Sequence, residues 1–180
     1  TNPLVALYFA CENDAVDGKL FRFEVQTSDI KYFDSDAVSV VSNIAKRPID
    51  FSIEDLRELD RNEFNSEEEI QYLLHEIKYE KPHFQNVIDS KDIERVFCVK
   101  PMFDNPRIIR QSGAFFLYGI NGNKSQPASL NFSYKVYIIN KAQKRKIRKQ
   151  LEALGIDKST LFPEVEHVAE HIKDKYHLPK

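Results

Sequence analysis

A chain of 180 residues that is 42% hydrophobic and 30% charged is long enough to bury one core and too apolar to stay disordered. Its 26 basic and 28 acidic side chains leave a formal charge of -2, which excludes a whole-chain electrostatic drive toward nucleic acid and restricts any such binding to a local patch. The only cysteines, Cys11 and Cys98, have no neighbours at metal or redox spacing and fit a reducing cytoplasm, and no apolar run approaches the roughly 20 residues of a membrane helix.

At the start, Asn2-Pro3 supplies a capping side chain and a first-turn proline, and Leu4, Leu7, Tyr8 and Cys11 recur at helical spacing. The chain is expected to enter through a buried helix. Because Thr1 is not methionine and lies at that helix start, the sequence is expected to be a fragment. After a turn, Phe21, Phe23 and Val25 alternate with Arg22 and Glu24, as in a half-buried strand. Asp34 to Asp36 can cap a helix carrying Val38, Val41, Ile44 and Ala45, stopped before Pro48.

Ser52 with Asp55 resembles a capping box for a short helix bearing Leu56 and Leu59. Ser66-Glu67-Glu68-Glu69 then places three carboxylates at a helix start, followed by the stripe Ile70, Leu73, Leu74 and Ile77. The acids between Asp50 and Glu69 read better as helix-start charges on a solvated face than as a partner surface. Arg95 to Val99 reads as a short core strand ending at Pro101.

Asn105-Pro106 marks a turn and Gly113 a second break, after which Ala114 to Tyr118 is an unbroken apolar run, as expected for a strand covered on both faces. Arg107, Arg110, Gln111 and Ser112 therefore sit where a loop or short helix feeds a core strand, a common position for binding groups. The same side chains would equally serve to satisfy turn backbone, with the arginines solvated. Asn121-Gly122-Asn123 opens a polar loop to about Leu130, and Phe132, Tyr134, Val136 and Ile138 then alternate with Ser133, Lys135 and Tyr137. This second strand is expected to pair with the one ending at Tyr118. Lys141 to Leu154 reads as a helix with Ile147, Leu151 and Leu154 inward, stopped by Gly155, and Pro163 opens a last helix. The pattern predicts a single α+β domain over 1–180, with a small, mainly antiparallel mixed sheet from the segments near Phe21, Phe97, Phe116 and Val136 and helices packed against it.

His167-Val168-Ala169-Glu170-His171 formally matches an inverted zinc-peptidase pattern. Both histidines fall away from the apolar stripe of their helix, toward water, so no metal is expected. Lys141, Lys144, Arg145, Arg148 and Lys149 form a basic helix face able to meet phosphates, without interleaved aromatic residues for stacking. No glycine-rich phosphate loop or nucleophile elbow is present, and neither cysteine has an obvious histidine partner.

Four segments together resemble the FRG domain, a bacterial and phage family named for a Phe-Arg-Gly motif. They are 1–11; Asn105-Pro106-Arg107-Ile108 with Gln111-Ser112-Gly113-Ala114-Phe115; the basic helix ending in Leu154-Gly155-Ile156; and Leu161-Phe162-Pro163-Glu164. The resemblance implies that the chain is the later part of such a domain, with the Phe-Arg-Gly element and a Gln-His-x-Gly-x-Pro segment expected upstream of Thr1. It also implies a role in defence against phage or in a toxin-like system, with Arg107, Gln111 and Ser112 matching the family's later motif, and leaves open whether the protein is an enzyme. By analogy with ADP-ribosyltransferase-like toxins, Arg107 and Gln111 would cradle a phosphate-bearing ligand such as NAD. The competing expectation is a module that recognises nucleic acid or a protein partner. In either case the Arg107 to Ser112 corner is expected to lie against a core sheet and complete a pocket.

Overall fold

The computed structural model describes residues 2–164, and several of its helices begin where a side chain takes up free N–H groups of the first turn. Asn2 accepts from the Leu4 N–H at 2.9 Å and opens α1 (Pro3–Ala10). Then follow β1 (Gly18–Glu24), β2 (Ile30–Tyr32), α2 (Asp36–Asn43), α3 (Arg61–Ser66), α4 (Glu68–Glu80), α5 (Ser90–Ile93) and β3 (Val96–Lys100). The remainder is α6 (Pro106–Arg110), β4 (Phe115–Tyr118), β5 (Ile120–Asn121), β6 (Asn123–Pro127), β7 (Ser133–Ile139), α7 (Lys144–Ala153) and α8 (Lys158–Leu161). The fold is α+β, and among the described residues no helix is long and apolar enough to cross a membrane. The helix expected from Pro163 onward, with His167 and His171, lies outside the described residues.

The chain forms two compact units. Within the described residues the first comprises 2–24, 101–114 and 133–164, and the second 25–100 and 115–132. In the second unit, β3 is the central strand of a three-stranded mixed sheet, parallel to β2 and antiparallel to β4. Helix α2 lays Ala37, Val38 and Val41 on Phe97 and Val99 of β3 and Leu117 of β4. A larger cluster joins α2, α3 and α4 through Val40, Phe64, Ile70, Leu73, Leu74 and Ile77. Asp60 starts α3 with a full capping box, accepting from the Asn62 and Glu63 N–H groups while Glu63 accepts from the Asp60 N–H.

Three expectations are corrected in this unit. Strand β4 is an edge strand, with Phe115 and Tyr118 exposed, and is not covered on both faces. Its partner is β3, not β7, because an apolar alternation specifies which residues face the core but not which strand lies alongside. The loop expected from Asn121 is a hairpin of β5 and β6, turned by Gly122 at φ 78°. Apart from Ile120, which is buried, its residues are mostly polar, so a polar run concealed the pairing and only the Asn-Gly turn signalled it.

In the first unit, β1 and β7 form an antiparallel ribbon of seven residue pairs, from Gly18↔Ile139 to Glu24↔Ser133. The strands expected to share one sheet thus divide between this ribbon and the three-stranded sheet. Helix α1 approaches the ribbon at Gly18, where a Cβ would lie 2.0 Å from the Ala10 carbonyl oxygen. Val5 of α1 packs with Leu161 and Phe162, flanked by Tyr8 and Ile156. Helix α7 ends with Gly155 at φ 75° and with the Ile156 N–H donating to the Leu151 carbonyl at 2.9 Å, the glycine stop expected from sequence. Leu151 is buried but Leu154, expected inward, is 66% exposed, because the helix closes at that residue and its side chain leaves the apolar stripe.

Candidate functional site

Asn105 accepts from the Arg107 N–H at 2.8 Å and Pro106 fills the first helical position, so the Asn-Pro turn is the start of α6. That helix closes through Ser112 N–H to Ile109 carbonyl at 3.1 Å and Gly113 N–H to Ile108 carbonyl at 2.9 Å. Ser112 itself sits at φ 50°, the left-handed position that usually belongs to glycine, while the glycine of this motif stands one place later. A non-glycine residue held there stores backbone strain, and such strain collects at functional sites. Ser112→Gly is expected to raise the unfolding free energy by about 0.5 to 1 kcal/mol, read as a rise in denaturant midpoint; no rise would show that the serine conformation is unstrained.

From this corner three side chains reach toward α8 and the residues after it. Arg110 Nη1 donates to the Thr160 carbonyl at 3.3 Å and Gln111 Nε2 to the Leu161 carbonyl at 3.2 Å, both serving the last turn of a short helix. Arg107 lays its guanidinium 4.7 Å from the Phe162 ring centroid, with Nη1 3.7 Å from Glu164 Oε1. Phe162 is in turn met edge-on by Phe9 of α1 at 6.0 Å. The corner is therefore backed by the α8–Phe162 segment where a core sheet was expected. The four segments that resemble the FRG family, as far as they are described and up to Ala114, all belong to this first unit.

The basic helix α7 divides its charges by reach. Lys144 is buried, 1% exposed, and donates from Nζ to the Asn13 carbonyl at 2.7 Å. Arg148 grips both carboxylate oxygens of Asp14 at 2.7 Å and donates also to the Cys11 carbonyl. Both cations thus serve the carbonyl-rich turn where α1 ends, the negative end of its dipole. Lys141, Arg145 and Lys149 remain exposed, Arg145 Nε lying 3.7 Å from Asp14.

The hydrogen bond from Arg148 holds the Asp14 carboxyl below its ordinary range, despite some opposing desolvation. A lowered folded pKa means this contribution to stability is present above about pH 4, the ordinary Asp value, and is lost as pH falls through the lowered one. The acid limb of a thermal-stability profile should therefore be shallower in Asp14→Asn than in the parent; superimposable profiles would remove Asp14 from the account.

Burial pushes both thiols, Cys11 and Cys98, above their usual range, so neither is poised as a thiolate nucleophile. Among the described residues no three His, Cys, Asp or Glu side chains gather to hold a metal. Two features escaped the sequence reading. The near-neutral chain conceals a partition: the first unit carries 12 basic and 8 acidic side chains over its described residues, a net +4, and the second 11 and 17, a net -6. The ribbon also displays aromatic residues read as half-buried: Phe21 is 48% and Tyr134 57% exposed, with Phe23 packed against both at 6.3 and 5.6 Å. Alternation in both strands was the available signal, and it does not say which face meets solvent. No known protein family, curated protein or solved structure matches the chain.

Proposed function

We propose that the chain is an FRG-type domain of a bacterial or phage defence or toxin-like system, working in the cytoplasm, in which Arg107 receives a phosphate-bearing ligand such as NAD. What supports this is the state of that one side chain. Stacking on Phe162 fixes the plane of its guanidinium, its pair with Glu164 is long at 3.7 Å, and its side chain is 48% exposed. An exposed ion pair of that kind is worth about 1 kcal/mol or less, so a phosphate offering two oxygens can displace Glu164 and gain bidentate hydrogen bonds. Gln111, tied to the Leu161 carbonyl, positions the corner, with Ser112 next to it in the chain.

Calorimetric titration with NAD, ADP-ribose and inorganic phosphate tests this. Arg107→Ala is expected to weaken binding about tenfold or more, the share of a charge-assisted pair, with little change in melting temperature. Gln111→Ala should weaken binding less and lower stability by about 1 kcal/mol. If Arg107→Ala loses stability in proportion to binding, the arginine is a packing residue and the reading fails. Release of nicotinamide over time separates an enzyme from a binder.

A second reading, a nucleic-acid or protein-binding module, is favoured by the +4 balance of the first unit, where Arg145 and Lys149 of α7 and Lys141 just before it stand exposed.

A further inference from the structure

Arg107 and Arg110 stand one turn apart on α6, so their Cβ atoms lie about 5 to 6 Å from each other on one side of the helix. Both reach the same stretch of chain: Arg110 Nη1 donates to the Thr160 carbonyl at 3.3 Å, while Arg107 stacks on Phe162, two residues further on. Like charges so placed repel, and α6, Pro-Arg-Ile-Ile-Arg, has no acidic side chain of its own to offset them. Among the described residues the only carboxylate that meets the pair is Glu164, 3.7 Å from Arg107 Nη1. Arg110 is exposed and has no ion-pair partner among those residues. Its one long bond to Thr160 leaves most of the five donors of its guanidinium unspent.

We propose that the two arginines form a clamp for a diphosphate, Arg107 taking one phosphate and Arg110 the next. The proposal rests on the reading of Arg107 as a phosphate receiver, adds Arg110 to that site and narrows the ligand to the group that NAD and ADP-ribose share. Charge and shape select this class. Each guanidinium is planar and can give two parallel hydrogen bonds to one phosphate, so two of them suit adjacent anionic groups, and a ligand bound across both turns their repulsion into attraction. The carboxylate that the chain itself offers, Glu164, reaches Arg107 alone and leaves Arg110 unmatched. The two cations are also held differently. Stacking on Phe162 fixes the plane of Arg107, whereas Arg110 is tethered at one nitrogen and can turn its other edge toward a second phosphate.

Calorimetric titration of the full chain with inorganic pyrophosphate and inorganic phosphate, at matched ionic strength, tests the clamp. The parent is expected to bind pyrophosphate about tenfold more tightly than phosphate, the share of a second charge-assisted contact. Arg110→Gln should bind phosphate as the parent does but lose that preference, and its affinity for ADP-ribose should fall by the same factor. Lys19→Gln removes a charge from an exposed lysine of β1 and should keep the preference; equal losses in the two variants would show that ligand charge alone sets it and would overturn the clamp. An unchanged preference in Arg110→Gln, with Arg107→Ala still weakening phosphate, overturns the clamp and leaves the reading of Arg107 standing. Failure of both anions to bind, or binding indifferent to Arg107→Ala, overturns that reading and the clamp together. A lowered melting temperature in Arg110→Gln, with both anions weakened equally, would assign the arginine to holding α8 and exclude it from the site.

Discussion

Gly18→Ala is expected to destabilise the first unit by about 3 kcal/mol, at the upper end of what an added methyl costs in a packed site. The new Cβ would stand 2.0 Å from the Ala10 carbonyl oxygen and 3.2 Å from Lys144 Nζ. The lysine can swing aside, but the carbonyl is backbone at the end of α1 and moves only with the helix. Displacing it also disturbs the turn at Cys11 to Asp14 that Lys144 and Arg148 hold. Gly155→Ala is the matched control: its Cβ would meet nothing within 4 Å, so only its φ of 75° counts, and the cost should be nearer 1 kcal/mol. Chemical denaturation of the two variants checks the difference, and equal losses would show that the close approach of α1 to β1 is not rigid.

Phe97→Ala should cost about 3 to 5 kcal/mol. Phe97 is fully buried on the central strand β3, covered by Ala37, Val38 and Val41 of α2 and bordered by Val99 and Leu117. The Arg95 guanidinium and the Lys31 ammonium lie 5.4 and 5.6 Å from its ring centroid, so truncation removes a cation–π partner from each as well as leaving a cavity. Against a typical total of about 5 to 15 kcal/mol for a domain, that loss threatens the sheet. A melting curve measures it, and a loss below 1 kcal/mol would mean that α2 collapses onto the vacated volume.

What the sequence made legible followed from local rules. The stripe Ile70, Leu73, Leu74 and Ile77 is buried as its period requires, Asn2 caps α1, and Gly155 stops α7. What it hid depended on reach and on partner. The pairing of β4 with β3 and of β7 with β1 is decided by packing across the chain, and alternation is silent about it. Lys144 and Arg148 share a helix face with Lys141 and Lys149, yet long side chains placed near the end of α1 bend back to its carbonyls, which no helical wheel displays. Arg107, Gln111 and Ser112 were recognisable as a corner. Their anchorage on Thr160 to Glu164, some 50 positions onward, was not.

The ribbon also dictates an order of events in folding. Glu24 and Ser133 face each other although they stand 109 positions apart in sequence, so β1 has no mate until β7 has been synthesised. Closing so long a loop carries an entropic penalty that grows slowly with length but must be met before any of its contacts form. The whole of the second unit lies inside that loop and can settle first, shortening the distance the ends must travel. The aromatic side of β1 meanwhile waits unpaired, which makes that strand a stretch in need of a chaperone.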